Sequence, residues 1–142
     1  MSQIQSMTIE DLLEDFEELE DWEERCDFLI DLGFDLPEMR EDAKNEDNRV
    51  HGCQSNVWLT AELKSGDRPV IEIVADSDAM IVRGLIAVLL AIYNGRSPQQ
   101  ILETDVNTIF ARIGLDRHLS STRRNGLFGM VKKIRSIAEQ AA

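Results

Sequence analysis

Cys53 stands in the run Arg49-Val50-His51-Gly52-Cys53-Gln54-Ser55-Asn56-Val57-Trp58-Leu59, and it is the side chain best placed by its neighbours for covalent chemistry. Gly52 permits a tight turn and the close approach of another molecule beside the thiol. His51, Gln54 and Ser55 surround it with hydrogen-bonding groups, and strand-like residues begin only at about Val57. The thiol is therefore expected on a loop tip at the lip of a sheet, within reach of a partner, and loops on rigid scaffolds often carry function. On these residues alone, a small buried hydrophobe is the competing reading.

The other reactive groups are less well placed. Cys26 falls four residues after Trp22 and three before Leu29, on the apolar face of a predicted helix, so it reads as a structural, buried thiol. The sequence leaves a Cys26–Cys53 disulfide open, but two cysteines form no disulfide framework and a reducing cytoplasm opposes one. Asp76 and Asp78 read as caps of a helix starting near Ala79 rather than as a carboxylate pair for acid–base work. His118 is a base in search of a nucleophile, and nothing in the spacing brings it to Cys53. With neither a Gly-rich phosphate loop nor a convincing ligand cluster, no cofactor and no metal are expected.

The chain that positions these groups has 142 residues, 43% hydrophobic and 30% charged, which fits one compact domain over 1–142. A chain of this length buries about two-thirds of its unfolded surface and needs no metal or disulfide staple. No apolar run approaches the roughly 18 residues of a membrane span, so no membrane partner is expected. The N-terminus lacks a signal peptide's basic stretch and apolar core, which makes the cytoplasm the default location. A net charge of −12 argues against nucleic acid, which binds basic surfaces. The charge is uneven: residues 1–47 hold 18 acids and 3 bases, a local −15, and the remainder sums to +3. An acidic front can steer a partner, although a solvated helix face is the commoner explanation.

Local patterns predict helices first. Thr8 with Asp11, and Asp21 with Glu24, resemble N-terminal capping signatures ahead of the stripes Ile9-Leu12-Leu13-Phe16 and Trp22-Cys26-Leu29-Ile30. Gly33 is placed to stop the second helix. Residues 38–48 form a loop or a short helix. Two β-rich runs, Val57 to Leu63 and Pro69 to Ala75, flank the turn Lys64-Ser65-Gly66-Asp67 and predict an antiparallel hairpin, with a third short strand near Arg49-Val50. Ser77 or Asp78 should cap a helix to Tyr93, Ser97-Pro98-Gln99-Gln100 should open another, Asp105 a third ending at Gly114, and a last helix runs from about Thr122 toward Gln140. Helices, a small sheet of about three strands, then helices again make an α+β fold.

Three ordered segments carry a family resemblance. The Cys53 run quoted above resembles the active-site segment of the SufE family. Asp76-Ser77-Asp78-Ala79-Met80-Ile81-Val82-Arg83-Gly84-Leu85-Ile86-Ala87-Val88 resembles a second block, and Arg117-His118-Leu119 with Thr122-Arg123-Arg124-Asn125-Gly126-Leu127 a C-terminal motif. The likeness covers about residues 8 to 138. His51 stands where other members carry a different polar residue, and Arg124 makes a tandem of the motif's arginine.

The resemblance implies that Cys53 accepts sulfur, as a persulfide, from a pyridoxal-phosphate-dependent cysteine desulfurase. The chain would stimulate that enzyme without being an independent one, and pass sulfur to a downstream Fe–S scaffold or other acceptor. It implies that Arg123 is the C-terminal motif's arginine, that His51, Gly52, Gln54 and Ser55 form the loop a partner meets, and that the fold is similar to that of IscU scaffolds. The attacking species is a thiolate, which needs nearby positive charge or donors: Arg123 first, then His51, Arg49 or loop amides. A persulfide needs shielding from stray thiols, so the Cys53 loop is expected to pack inward and swing out on docking. Three other functions compete: an iron–sulfur scaffold of related fold, for which two cysteines are few, a cysteine hydrolase using Cys53 with His51 or His118, and an adaptor in which Cys53 is incidental.

Overall fold

A computed structural model describes residues 8–50 and 55–141. Two helices open the chain, α1 (Ile9–Glu17) and α2 (Trp22–Phe34). Each begins where the sequence places a cap: Asp11 N–H donates to Thr8 Oγ1 at 3.1 Å, and Glu24 N–H to Asp21 Oδ1 at 2.8 Å. Acidic residues fill both first turns, where the helix dipole favours them. The apolar stripe of α1 buries Leu12, Leu13 and Phe16.

Residues 41–48 hold two short 3₁₀ turns, Glu41–Ala43 and Glu46–Asn48, before the hairpin of β1 (Val57–Lys64) and β2 (Val70–Ser77). The strands pair antiparallel from Val57 opposite Ser77 to Lys64 opposite Val70. The sheet has two strands among the described residues, fewer than the three expected. Arg49 and Val50 reach β1 through a single bridge, Arg49 to Trp58, with Val50 N–H donating to the Val57 carbonyl at 2.8 Å. The 3₁₀ turn ending at Asn48, itself capped by the Asn45 side chain, keeps the preceding residues out of extended pairing.

The outer edge of β2 is covered differently. The connector after the next helix lies along it: Ile71 N–H donates to the Arg96 carbonyl, Gly95 N–H to the Ile71 carbonyl, and Ile73 N–H to Asn94 Oδ1, all at 2.8–2.9 Å. Gly95 takes a positive φ of 75° to make this turn.

The central element is α3 (Met80–Tyr93), with buried residues on every side from Val82 to Tyr93. Such a helix is hydrophobic all round because it is enclosed, not because it spans a membrane. Among the described residues no helix is long and apolar enough to cross one. Four helices complete the chain: α4 (Pro98–Glu103), α5 (Val106–Ile113), α6 (Leu115–His118) and α7 (Ser121–Ala141). The reciprocal capping box of Ser97 and Gln100 starts α4, Asp105 caps α5, and Gly114 at φ 92° ends it, as the sequence indicates.

Gly33 does not stop α2, which runs one residue further. Its lack of a side chain serves packing instead. A Cβ on Gly33 would lie 2.9 Å from the Gly84 nitrogen, and one on Gly84 only 2.2 Å from the Leu29 carbonyl oxygen. The two glycines let α2 and α3 cross backbone against backbone. Around this crossing the buried side chains of α1, α2, α3, both strands, α4, α5, α6 and α7 form one continuous cluster. The architecture is α+β, a small antiparallel hairpin laid against helices.

Candidate functional site

Of the predicted site residues, His51, Gly52, Cys53 and Gln54 lie outside the described residues, as does the expected inward packing of their loop. Ser55, Arg123 and the flanks of that loop are described. The two flanks lie side by side, because Val50 N–H donates to the Val57 carbonyl. On the N-terminal flank, Lys133 Nζ on α7 donates to the Asn48 carbonyl at 3.2 Å. On the C-terminal flank, Asn56 is clamped by Asp78. Its N–H donates to Asp78 Oδ1 at 3.1 Å, its Nδ2 to Oδ2 at 2.9 Å, and Asp78 N–H returns a bond to the Asn56 carbonyl at 3.3 Å.

Asp76 and Asp78 therefore do not cap α3. Its N-cap is Ala79, with no side-chain cap, while Ser77 Oγ accepts from Ala79 N–H at 3.2 Å. Asp78 is engaged with Asn56, and Asp76 turns to the sheet face, where it pairs with Lys44 at 3.2 Å and Arg83 at 3.1 Å. Lys44 also lies over the Trp58 ring, 5.8 Å from its centroid. Hydrogen bonds to Glu41, then to Asp76, hold the Lys44 ammonium pKa above its usual value. This ionic cluster ties the 3₁₀ segment to β2 and α3, and so steadies the chain just upstream of the loop.

A pocket of about 20 Å³ opens beside Ser55, enough for roughly one water-sized group. Its walls are apolar side chains of β1, α3 and α7, among them Val57, Leu85, Leu127 and Met130, with Thr122 and Arg123 from the first turn of α7. That turn is fixed by Ser120, whose Oγ accepts from Arg123 N–H at 3.2 Å. The Arg123 side chain is half-buried and, among the described residues, has no carboxylate partner. A cation left without a counterion on the wall of a small, mostly apolar pocket is suited to an anion.

The tandem arginines part company. Arg124 Nη1 donates to the Asp116 carbonyl at 3.0 Å and its Nη2 reaches Ser121 Oγ at 3.4 Å, bracing α6 against α7. Arg123 alone lines the Ser55 pocket. Arg49 pairs with Glu46 at 3.5 Å and does not line that pocket. His118 stacks on Trp22, with centroids 4.8 Å apart and planes 12° from parallel, and is likewise absent from the pocket lining.

Cys26 is half-buried rather than buried. Desolvation raises its thiol pKa, Asp27 and Glu23 raise it further, and Arg123 opposes them. The thiol is thus kept protonated and weakly nucleophilic. Sequence reasoning missed Lys133 and the Asn56–Asp78 clamp; both join segments far apart in the chain, and no local pattern announces either.

Comparison with known proteins gives a consistent result. Residues 10–138 match the family model described as SufE, Fe–S metabolism associated domain. An uncharacterised SufE-like protein of Rhizobium meliloti is 43% identical over 133 residues, covering 93% of this chain and 95% of its own. Another, from Rhizobium etli, is 44% identical over 137 residues, covering 95% of this chain and 92% of its own. The solution structure of a hypothetical protein from Thermus thermophilus superposes with a TM-score of 0.74 at 22% identity, over 95% of this chain and 98% of that one. That likeness supports the fold alone. With the family model spanning nearly the whole length and two relatives above 40% identity, the chain belongs to the SufE family, whose domain is associated with Fe–S metabolism.

Proposed function

We propose that this chain, one domain over residues 1–142, is a cytoplasmic sulfur acceptor in which Cys53 takes persulfide sulfur from a pyridoxal-phosphate-dependent cysteine desulfurase. The Cys53 thiolate attacks the outer sulfur of the donor's persulfide. A new S–S bond forms on Cys53, the donor's S–S bond breaks, and the donor cysteine leaves as a thiolate. No electrons enter or leave the pair. The sulfur then passes by the same exchange to a downstream acceptor for iron–sulfur assembly, and clearing the donor's persulfide stimulates the desulfurase.

The observation that carries this reading is Arg123. It sits on the wall of a pocket that begins at Ser55, two residues after Cys53, and has no described carboxylate to neutralise it. A guanidinium there favours the thiolate before transfer and the persulfide anion after it. The pocket's apolar walls and its volume, near that of one small group, suit a terminal sulfur. Cys26, protonated and set between two acids, is a poor alternative acceptor.

The test is incubation with a desulfurase and free cysteine, followed by mass spectrometry without reductant. One added sulfur atom is expected on Cys53 and none on Cys26. Arg123→Met is expected to slow the transfer by roughly ten- to a hundredfold with little change in stability, the scale of losing one charged group aimed at a reacting anion. Sulfur on Cys26, or on neither cysteine, rejects the proposal.

A further inference from the structure

A second concavity, of about 430 Å³, lies between α7 and the segment that leads into the Cys53 loop. Arg49, Val50, Gly129, Lys132, Lys133 and Ile137 line it, and among the described residues no carboxylate does. Lys133 is half-buried there, and burial pulls its ammonium pKa below the usual value. Lys132 is exposed and, among the described residues, has no partner. Arg49 reaches Glu46 only at 3.5 Å, a loose pair that leaves its charge felt in the groove. Helix α7 as a whole carries five cations and a single acid, Glu139.

This groove is a local inversion of the molecule's charge. The chain as a whole is at −12, and residues 1–47 alone account for −15. An acidic segment would be repelled by the helices of residues 1–47 and drawn to α7, so the charge distribution favours both the partner's sign and its place of contact. A nucleic acid, with phosphates along its whole length, would meet the acidic helices as well as the groove, so the charge map disfavours it. A short acidic segment fits, and the half-buried Ile137 offers an apolar seat beside the cations.

We infer that this groove docks an acidic segment with an apolar anchor, belonging to the cysteine desulfurase, and thereby sets the donor's persulfide beside the loop that follows Val50. The inference rests on the sulfur-acceptor reading and adds the surface through which the donor is held. Lys133 has a double part, bracing Asn48 and charging the groove.

The experiment titrates the full chain into the desulfurase by calorimetry at low and high salt. Lys132→Glu is compared with Lys132→Arg, and with Arg68→Glu in the exposed hairpin turn, which changes net charge by the same amount. Lys132 and Arg68 are both exposed, so folding should survive, and circular dichroism checks it. Lys132→Glu is expected to weaken binding roughly tenfold at low salt, with the deficit shrinking as salt rises. Lys132→Arg should bind as the parent does, and Arg68→Glu within about twofold of it. Equal losses in Lys132→Glu and Arg68→Glu would overturn the inference, because only overall charge would then matter. So would a shift of self-association by Lys132→Glu with desulfurase binding unchanged, which would assign the groove to a second copy of this chain. Failure of this surface leaves sulfur transfer to Cys53 intact in the parent chain, whereas failure of the acceptor reading removes that transfer even at saturating desulfurase.

Discussion

The crossing of α2 and α3 and the frame around the Cys53 loop are built by opposite means. At the crossing, Gly33 and Gly84 bring backbone against backbone, and a single added carbon would sit 2.2 Å from a carbonyl oxygen. Around the loop, the flanks are held by side chains reaching across long stretches of sequence, Asp78 to Asn56, Lys133 to Asn48 and Lys44 to Asp76, with Arg83 adding a nearer bond to Asp76. Backbone contact of the first kind cannot yield without moving two helices. Side-chain hydrogen bonds of the second kind are partly exposed, individually modest and able to exchange with water. The bonds that can exchange with water are thus gathered at the flanks of the loop, and the unyielding contact lies behind them.

The most damaging way to break this contrast is Gly84→Ala. The added methyl should cost about 3 kcal/mol, seen as a fall in Tm of about 10 °C for a chain of this size. A loss below about 0.5 kcal/mol would show that the helices can slide apart, and the crossing would not be the rigid member. Next in size is the reactivity of Cys26, which lies on α2 but feels Arg123 across the site. In a Cys53→Ser chain, iodoacetamide should label Cys26 several-fold more slowly at pH 8 than a free thiol, because its raised pKa leaves less thiolate. Labelling should accelerate as pH climbs past the usual cysteine range. Adding Arg123→Met should slow it further, since the arginine is the group that lowers the pKa. A rate equal to that of a free thiol would separate α2 from the site. The smallest effect belongs to Asp78→Ala, which should leave global stability within about 1 kcal/mol, while the Asn56 amide exchanges faster with deuterium. A global loss as large as that of Gly84→Ala would erase the distinction between crossing and frame.

Much of the fold was legible because capping and amphipathic periodicity act over three or four residues. Thr8, Asp21, Ser97 with Gln100, and Asp105 with Gly114 each behave as their local patterns indicate. The hairpin turn and the buried character of α3 follow from equally local signals. Longer-range features did not show. Asp76 and Asp78 have the composition of caps, yet the packing of the 3₁₀ segment and of Asn56 offers them partners 22 and more residues away, and those contacts win. Gly33 looks like a terminator until Gly84 is set against it. Among the described residues the third strand reduces to one bridge, because the turn ending at Asn48 consumes the residues that would have extended it upstream. At the candidate site, the local pattern of the tandem Arg123-Arg124 does not say which member faces the pocket, and only the family resemblance singles out Arg123; successive helix residues point about 100° apart, and tertiary contacts decide.

The connector at residues 94–96 has a consequence for how the protein behaves in a crowded solution. A two-stranded ribbon normally presents unpaired amides along both margins, an invitation to strands from other molecules. Here Asn94, Gly95 and Arg96 occupy one margin of the ribbon as a surrogate third strand, without belonging to the sheet. Cutting or lengthening the chain at Gly95 would lay that margin bare, and the molecule would acquire a template for fibrous association.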